Sequence, residues 1–156
     1  MRTKWTFAGL LGLLILAAGW SPARAGDSLY GKVTAVKSAN VVTFDYGGGQ
    51  YELRLIGIEP AKDGPLARKA VRLVSKLVLG KNARIRFEGR GKDGLVRARL
   101  FSADPVLGSK EVALELVRAG LARRQEGFDF KYGELSTAES EARMARRGLW
   151  AAIQQR

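Results

Sequence analysis

The sequence predicts a mainly-β α+β domain, a closed five-stranded barrel carrying about three helices. Three short alternating strands come first, joined by tight turns. One amphipathic helix follows, bounded by Pro65 and Gly80. Then come two strands with strictly alternating arginines, and finally two segments of helical period. The 156 residues suit one domain of ordinary size. With 46% hydrophobic and 27% charged residues, the chain has a folding composition.

Residues 1–25 precede this pattern. Arg2 and Lys4 are followed by an uncharged apolar run from Phe7 to Trp20, and Ala23-Arg24-Ala25 has the small-x-small form of a cleavage site. The run is short for a spanning helix, which needs about 20 residues. Residues 1–25 are therefore expected to be a signal peptide, and residues 26–156 an exported domain, periplasmic or secreted, with no transmembrane span after cleavage.

Leu29 to Val36 reads as the first strand, with a turn at Lys37-Ser38-Ala39-Asn40. Val41 to Tyr46 is the second. Gly47-Gly48-Gly49 supplies a hairpin loop, since glycine adopts positive φ freely. Gln50 to Ile58 is the third, with Tyr51, Leu53 and Leu55 on one face and Glu52, Arg54 and Ile56 on the other. Pro65 to Leu79 is a helix with Pro in its first turn and Gly80 as its stop. Leu66, Ala70, Leu73, Val74 and Leu77 form its apolar stripe, opposite Arg68, Lys69, Arg72 and Lys76. Asn82 to Glu88 and Val96 to Phe101 are the fourth and fifth strands, joined by a hairpin at Arg90 to Gly94. Their inward residues are Ala83, Ile85, Phe87, Val96, Ala98 and Leu100. Ser109 is placed to cap a short helix ending at Gly120, and Leu121 to Gln125 is a short extended piece. Ser136-Thr137-Ala138-Glu139 matches a capping box that would open a last helix reaching Arg147, burying Ala138, Ala142, Ala145 and Leu149. A helix inserted between strands three and four of five suits an OB barrel.

The charge balance bounds the function. Twenty-seven Lys and Arg face fifteen Asp and Glu, a formal +12, and loss of Arg2, Lys4 and Arg24 with the leader leaves +9. Such an excess points to a polyanionic partner: nucleic acid or another polyanion such as anionic lipid or an acidic surface. The chain has no Cys and no His, which excludes disulfides, thiol nucleophiles, the usual zinc sites and His-dependent triads. Arg84, Arg86, Arg97 and Arg99 alternate outward on the two joined strands with no acid between them. They would form a cationic ladder for a polyanion, or simply the polar outer face of a sheet. Tyr46, Tyr51, Phe128, Phe130 and Tyr132 are candidates for base stacking or for packing.

Several stretches resemble the staphylococcal-nuclease (thermonuclease) family. They are Gly31-Lys32-Val33-Thr34-Ala35-Val36, Tyr51 through Ile58, Leu79-Gly80-Lys81, Leu116 through Ala122, and Ala138 through Arg143 with Gly148-Leu149-Trp150. They fall in the family's order across nearly all of the chain after residue 25. The resemblance implies an OB barrel with three helices, and calcium-dependent phosphodiester hydrolysis. In that chemistry carboxylates hold the metal, a Glu activates water and two Arg stabilise charge on phosphate oxygens.

The resemblance also marks where this chain departs. The family's Asp-Gly-Asp-Thr turn is here Ser38-Ala39-Asn40-Val41, which puts Asn40 at a calcium-ligand position. Its Asp-Ala-Pro-Glu becomes Glu59-Pro60-Ala61-Lys62: Glu59 takes the second ligand position and Lys62 replaces the water-activating Glu. Its Asp-Arg-Tyr-Gly-Arg hairpin becomes Gly91-Lys92-Asp93-Gly94-Leu95, so Leu95 stands for one phosphate Arg. Arg54 keeps the other. Asp45 and Asp93 are the nearest spare acids. Losing a general base costs about 10²–10⁴ in rate, and losing one preorganised cation about 10²–10³.

The expectation is a catalytically degenerate member with no dedicated cofactor and no metal site, acting as a monomer. Arg54 and Glu59 are its retained catalytic positions. Arg54, Lys62, Arg84, Arg86, Arg97 and Arg99 are its nucleic-acid contacts. Arg54 has a second reading, an internal ion pair with Glu59 or Glu52, and Lys62 a second reading as a solvated loop residue. An active divergent phosphodiesterase using Ca²⁺ and an envelope protein–protein adaptor are the alternative functions.

Overall fold

The computed structural model describes residues 23–103 and 108–151. The expected leader lies outside them except for its last three residues. The chain order is β1 (Ser28–Ser38), β2 (Val41–Tyr46), β3 (Gly49–Leu55), β4 (Ile58–Pro60), α1 (Gly64–Val78), β5 (Asn82–Arg90), β6 (Val96–Ser102), α2 (Val112–Arg118), β7 (Ala122–Arg124) and α3 (Glu134–Met144), closed by a 3₁₀ turn at Gly148–Trp150.

Five strands close into a barrel in the order β1-β2-β3-β6-β5, with β5 returning to pair β1. This is the predicted OB arrangement. All pairings are antiparallel except β3 with β6, which run parallel and place Leu53, Arg54 and Leu55 beside Val96, Arg97 and Ala98. Strand alternation turns Val33, Val42, Phe44, Leu53, Ile85, Ala98 and Leu100 inward. Each of these seven is at most 2% exposed. Bulges bend β1 against β2 and β5 against β6, as closing so small a barrel requires.

Helix α1 has Pro65 in its first turn and buries Ala70, Val74 and Val78. The predicted stripe is displaced: Val78 is the third fully buried residue, while Leu66, Leu73 and Leu77 are only partly covered. At the helix exit, Gly80 (φ +72°) hands the chain to β1, with Gly80 N–H donating to the Val33 carbonyl at 2.8 Å. Helix α2 packs against α3, β6 and α1 and buries Val112, Ala113, Leu116 and Val117.

Four expectations are corrected. The third strand does not run through to Ile58. It breaks at Ile56-Gly57, and Ile58–Pro60 forms a separate two-stranded sheet with β7. Gly57 makes the break: its φ is +79°, and a Cβ there would run into the Phe128 ring. Ser109 does not cap α2, whose N-cap residue is Glu111. The Ser136–Glu139 capping box does not open α3, which starts two residues earlier at Glu134. The cap comes from outside the helix. Asp129 accepts hydrogen bonds from the Leu135 and Ser136 N–H groups at 2.9 and 3.1 Å, and from the Ser136 hydroxyl. Finally, α3 ends at Met144, Ala145 is exposed, and the buried residues are Leu135, Ala138, Glu139 and Ala142. Among the described residues no helix is long and apolar enough to cross a membrane.

Candidate functional site

A cleft of about 730 Å³ opens beside the β3–β6 seam. Such a volume is ordinary for a ligand site, about 300–1,000 Å³. Three parts of the fold frame it. The β1–β2 turn contributes Asn40, whose Oδ1 accepts from the Ser38 hydroxyl at 3.1 Å. The strands β3 and β6 contribute Arg54 and Arg97, which their parallel register holds side by side. Strand β4 and the loop after it contribute Glu59 and Lys62. The position of Glu59 is fixed by β7, because Gln125 N–H donates to the Gly57 carbonyl at 2.9 Å and Ala61 N–H to the Leu121 carbonyl at 3.1 Å. Ala67 and Val71 of α1 complete the wall.

Asn40, Arg54, Glu59 and Lys62, from three separate segments, thus meet at one cleft. Arg97 joins them. It reads as one rung of an outer ladder, yet it stands next to Arg54. Periodicity shows that Arg97 points outward; only the non-local β3–β6 pairing shows what it faces. Arg54 pairs with neither Glu59 nor Glu52. Its Nη2 lies 2.9 Å from Oδ2 of Asp93 in the β5–β6 hairpin. Asp93 is itself held by the Leu95 N–H at 3.1 Å. Both side chains of the Arg54–Asp93 pair are close to half exposed. The pair therefore contributes at most about 1 kcal/mol. It orients Arg54, and among the described residues it is the guanidinium's one ion pair.

The four-arginine ladder does not form as one unit. Arg99 leaves solvent: its Nε and Nη2 donate to the two carboxylate oxygens of Glu111 at 2.7 and 2.5 Å. The Glu111 side chain is 3% exposed. The guanidinium also covers the Phe130 ring at 3.7 Å from its centre, close enough for a cation–π contact. The hydrogen bonds to Glu111 hold Arg99 more firmly protonated, while burial pushes the Glu111 carboxyl up against the pull of Arg99. Arg84 stacks on Phe101 at 3.9 Å, and Arg86 reaches Glu88 at 3.3 Å. The acids absent from the alternating pattern arrive from β5 itself and from the start of α2.

The aromatic candidates separate in the same way. Phe130 is buried under Arg99, edge-on to Phe128 with ring centres 5.8 Å apart, and Tyr51 packs partly into the core. Tyr46 and Tyr132 are exposed. None of the five lines the cleft.

The donor set does not fit a calcium ion. Ca²⁺ takes six to eight oxygen ligands, with carboxylates among them. Among the described residues Glu59 is the sole carboxylate lining the cleft, which Arg54, Lys62 and Arg97 also line. Among the described residues no three acidic side chains gather to hold a metal. The arrangement instead suits an anion with several oxygens.

The fold is thus a five-stranded OB barrel with a cationic cleft at its strand seam. A profile of the staphylococcal nuclease homologue family matches residues 52–152, which include Arg54, Glu59, Lys62 and Arg97. The chain belongs to that family. No curated protein matches it.

Proposed function

We propose that this chain is an exported, periplasmic or secreted protein that binds nucleic acid through its phosphates and hydrolyses it poorly or not at all. The observation that carries this is the composition of the cleft: Arg54, Lys62 and Arg97 against Glu59, the one carboxylate among its described lining residues, with Asp93 of the β5–β6 hairpin paired to Arg54. Three cations within one cleft favour phosphate oxygens, and each phosphate neutralised releases a condensed counterion. The same composition is wrong for the family's hydrolysis. A lysine stands where water would be activated, an amide where a carboxylate would hold calcium, and Leu95 where a second cation would act.

Binding of single-stranded DNA followed by fluorescence anisotropy across a salt series tests the reading. Arg97→Glu should weaken every sequence alike and flatten the plot of log K against log[salt] by at least about 0.7, the value for one phosphate contact. Arg84→Glu, made at a residue already stacked on Phe101, should leave that slope as it is. Cleavage in Ca²⁺ should stay at the level seen in EDTA. Robust turnover abolished by EDTA would establish a divergent phosphodiesterase instead. Absence of binding to any nucleic acid would favour the adaptor.

A further inference from the structure

Helix α1 carries a separate concentration of positive charge. Its sequence contains Arg68, Lys69, Arg72 and Lys76 and no acid. All four are exposed, and none forms an ion pair among the described residues. Helix stability does not call for this pattern. Like charges at i and i+4 repel, and cations close to a helix N-terminus oppose its dipole. Only Lys76, in the last turn, suits the dipole.

Geometry connects this face to the cleft. Ala67 and Val71 line the cleft wall. At about 3.6 residues per turn, Arg68 lies about 60° around the helix from Val71, and Arg72 about 40° further on. Arg68, Arg72 and Lys76 then rise along the axis in steps of about 6 Å. The basic stripe therefore starts at the rim of the cleft and leads away from it. The apolar side of α1 is committed to the core through Ala70, Val74 and Val78, all 0% exposed. The remaining apolar side chains, Leu66, Leu73 and Leu77, are partly covered and lie on the side of the helix away from the cleft wall, so the basic stripe itself carries no apolar surface of the kind a stable membrane contact would add to charge.

We propose that the outer face of α1 binds the sugar–phosphate backbone of a single strand as it leaves the cleft, making the footprint longer than the cleft itself. The inference rests on the reading of the cleft as a phosphate site. Its test uses two probe lengths, a tetranucleotide and a 20-nucleotide oligothymidylate. The α1 variant carries Arg68→Gln, Lys69→Gln, Arg72→Gln and Lys76→Gln, which keep helix propensity close to the parent's. The cleft variant carries Arg54→Gln and Arg97→Gln. Thermal melts confirm that both are folded.

If the three cleft cations and four helix cations all engage, the 20-mer should show a salt slope of about −5, falling to about −2 in the α1 variant. Between about 50 and 200 mM salt the parent would then lose about 50-fold more affinity than the α1 variant. The tetranucleotide should bind the parent and the α1 variant equally and be lost from the cleft variant. An α1 variant that keeps the parent slope on the 20-mer overturns the proposal and leaves the cleft reading intact. A parent that binds neither oligonucleotide overturns both. Vesicles of phosphatidylcholine and phosphatidylglycerol in equal parts are the remaining arm. Vesicle binding that needs the α1 lysines and arginines, with 20-mer binding unaffected by their loss, would reassign the face to a bilayer surface and overturn the proposal.

Discussion

Arg99 and Arg97 differ by two positions on one strand and by everything in environment. Arg97 is exposed at the cleft. Arg99 is locked to Glu111, and its carboxylate partner is almost wholly out of water. Removing one member of such a pair strands a buried charge and costs about 3–5 kcal/mol. Replacing both by apolar groups can be nearly neutral. Arg99→Ala or Glu111→Ala alone should therefore lower the Tm by roughly 10 °C, while the double change Arg99→Met, Glu111→Leu should recover most of that loss. Calorimetry on the parent, the two single variants and the double variant decides it. A double variant no more stable than the worse single one would contradict this account. The alternation of β6 was legible in the sequence to the residue. The neutralising partner was not, because Glu111 reaches Arg99 across a bridge between Phe101 and Glu111 that no local pattern encodes.

Helix α3 shows the same limit at the scale of an element. Its Ser-x-x-Glu signal is genuine in sequence but serves another purpose. Glu139 is buried and accepts the Arg124 N–H of β7 at 3.0 Å, while Arg143 approaches its other oxygen at 3.2 Å. It fastens the helix to the small sheet that positions Glu59. The capping role passes to Asp129. Burial alone would raise the Asp129 carboxyl, but the Ser136 hydroxyl and the N–H groups of Phe130, Leu135 and Ser136 outweigh it and hold the group below the usual carboxylate range. A lowered folded-state pKa gives stability that is present above the unfolded value of about 3.9 and is lost as pH falls through the folded one. Asp129→Ala should cost about 1 kcal/mol at about pH 7, as for loss of an N-cap. It should also remove part of the acid sensitivity below about pH 4. Urea midpoints of parent and variant, measured from neutral pH down to well below the carboxylate range, should converge on the acid side. Parallel curves would refute the role given to Asp129. The break at Gly57 was hidden for a related reason: the residues from Gln50 to Ile56 are strand-like, and the demand for glycine comes from a φ of +79° and from the Phe128 and Leu135 side chains, which are distant in sequence.

Over the whole molecule, barrel order, helix placement and the gathering of Asn40, Arg54, Glu59 and Lys62 followed from turn residues, periodicity and the family resemblance. What escaped was the outer surface, where function depends on which arginine meets which acid. Export belongs at this scale too. On the proposal of export, the apolar run, its basic start and the Ala23-Arg24-Ala25 site would give a mature chain beginning at about Gly26. Intact mass of the natural product should match residues 26–156, and a mass that includes residues 1–25 would refute cleavage. The parallel β3–β6 seam finally sets when the protein can work. Leu53–Leu55 must find Val96–Ala98 across the whole of α1 and β5, and such distant pairings form only after the entropy of loop closure has been met. Until then Arg54 and Arg97 are far apart. An incompletely folded chain has the same net charge but no cleft, so on the proposed function affinity for a polyanion through the cleft would appear together with barrel closure, and capture would become a readout of finished folding.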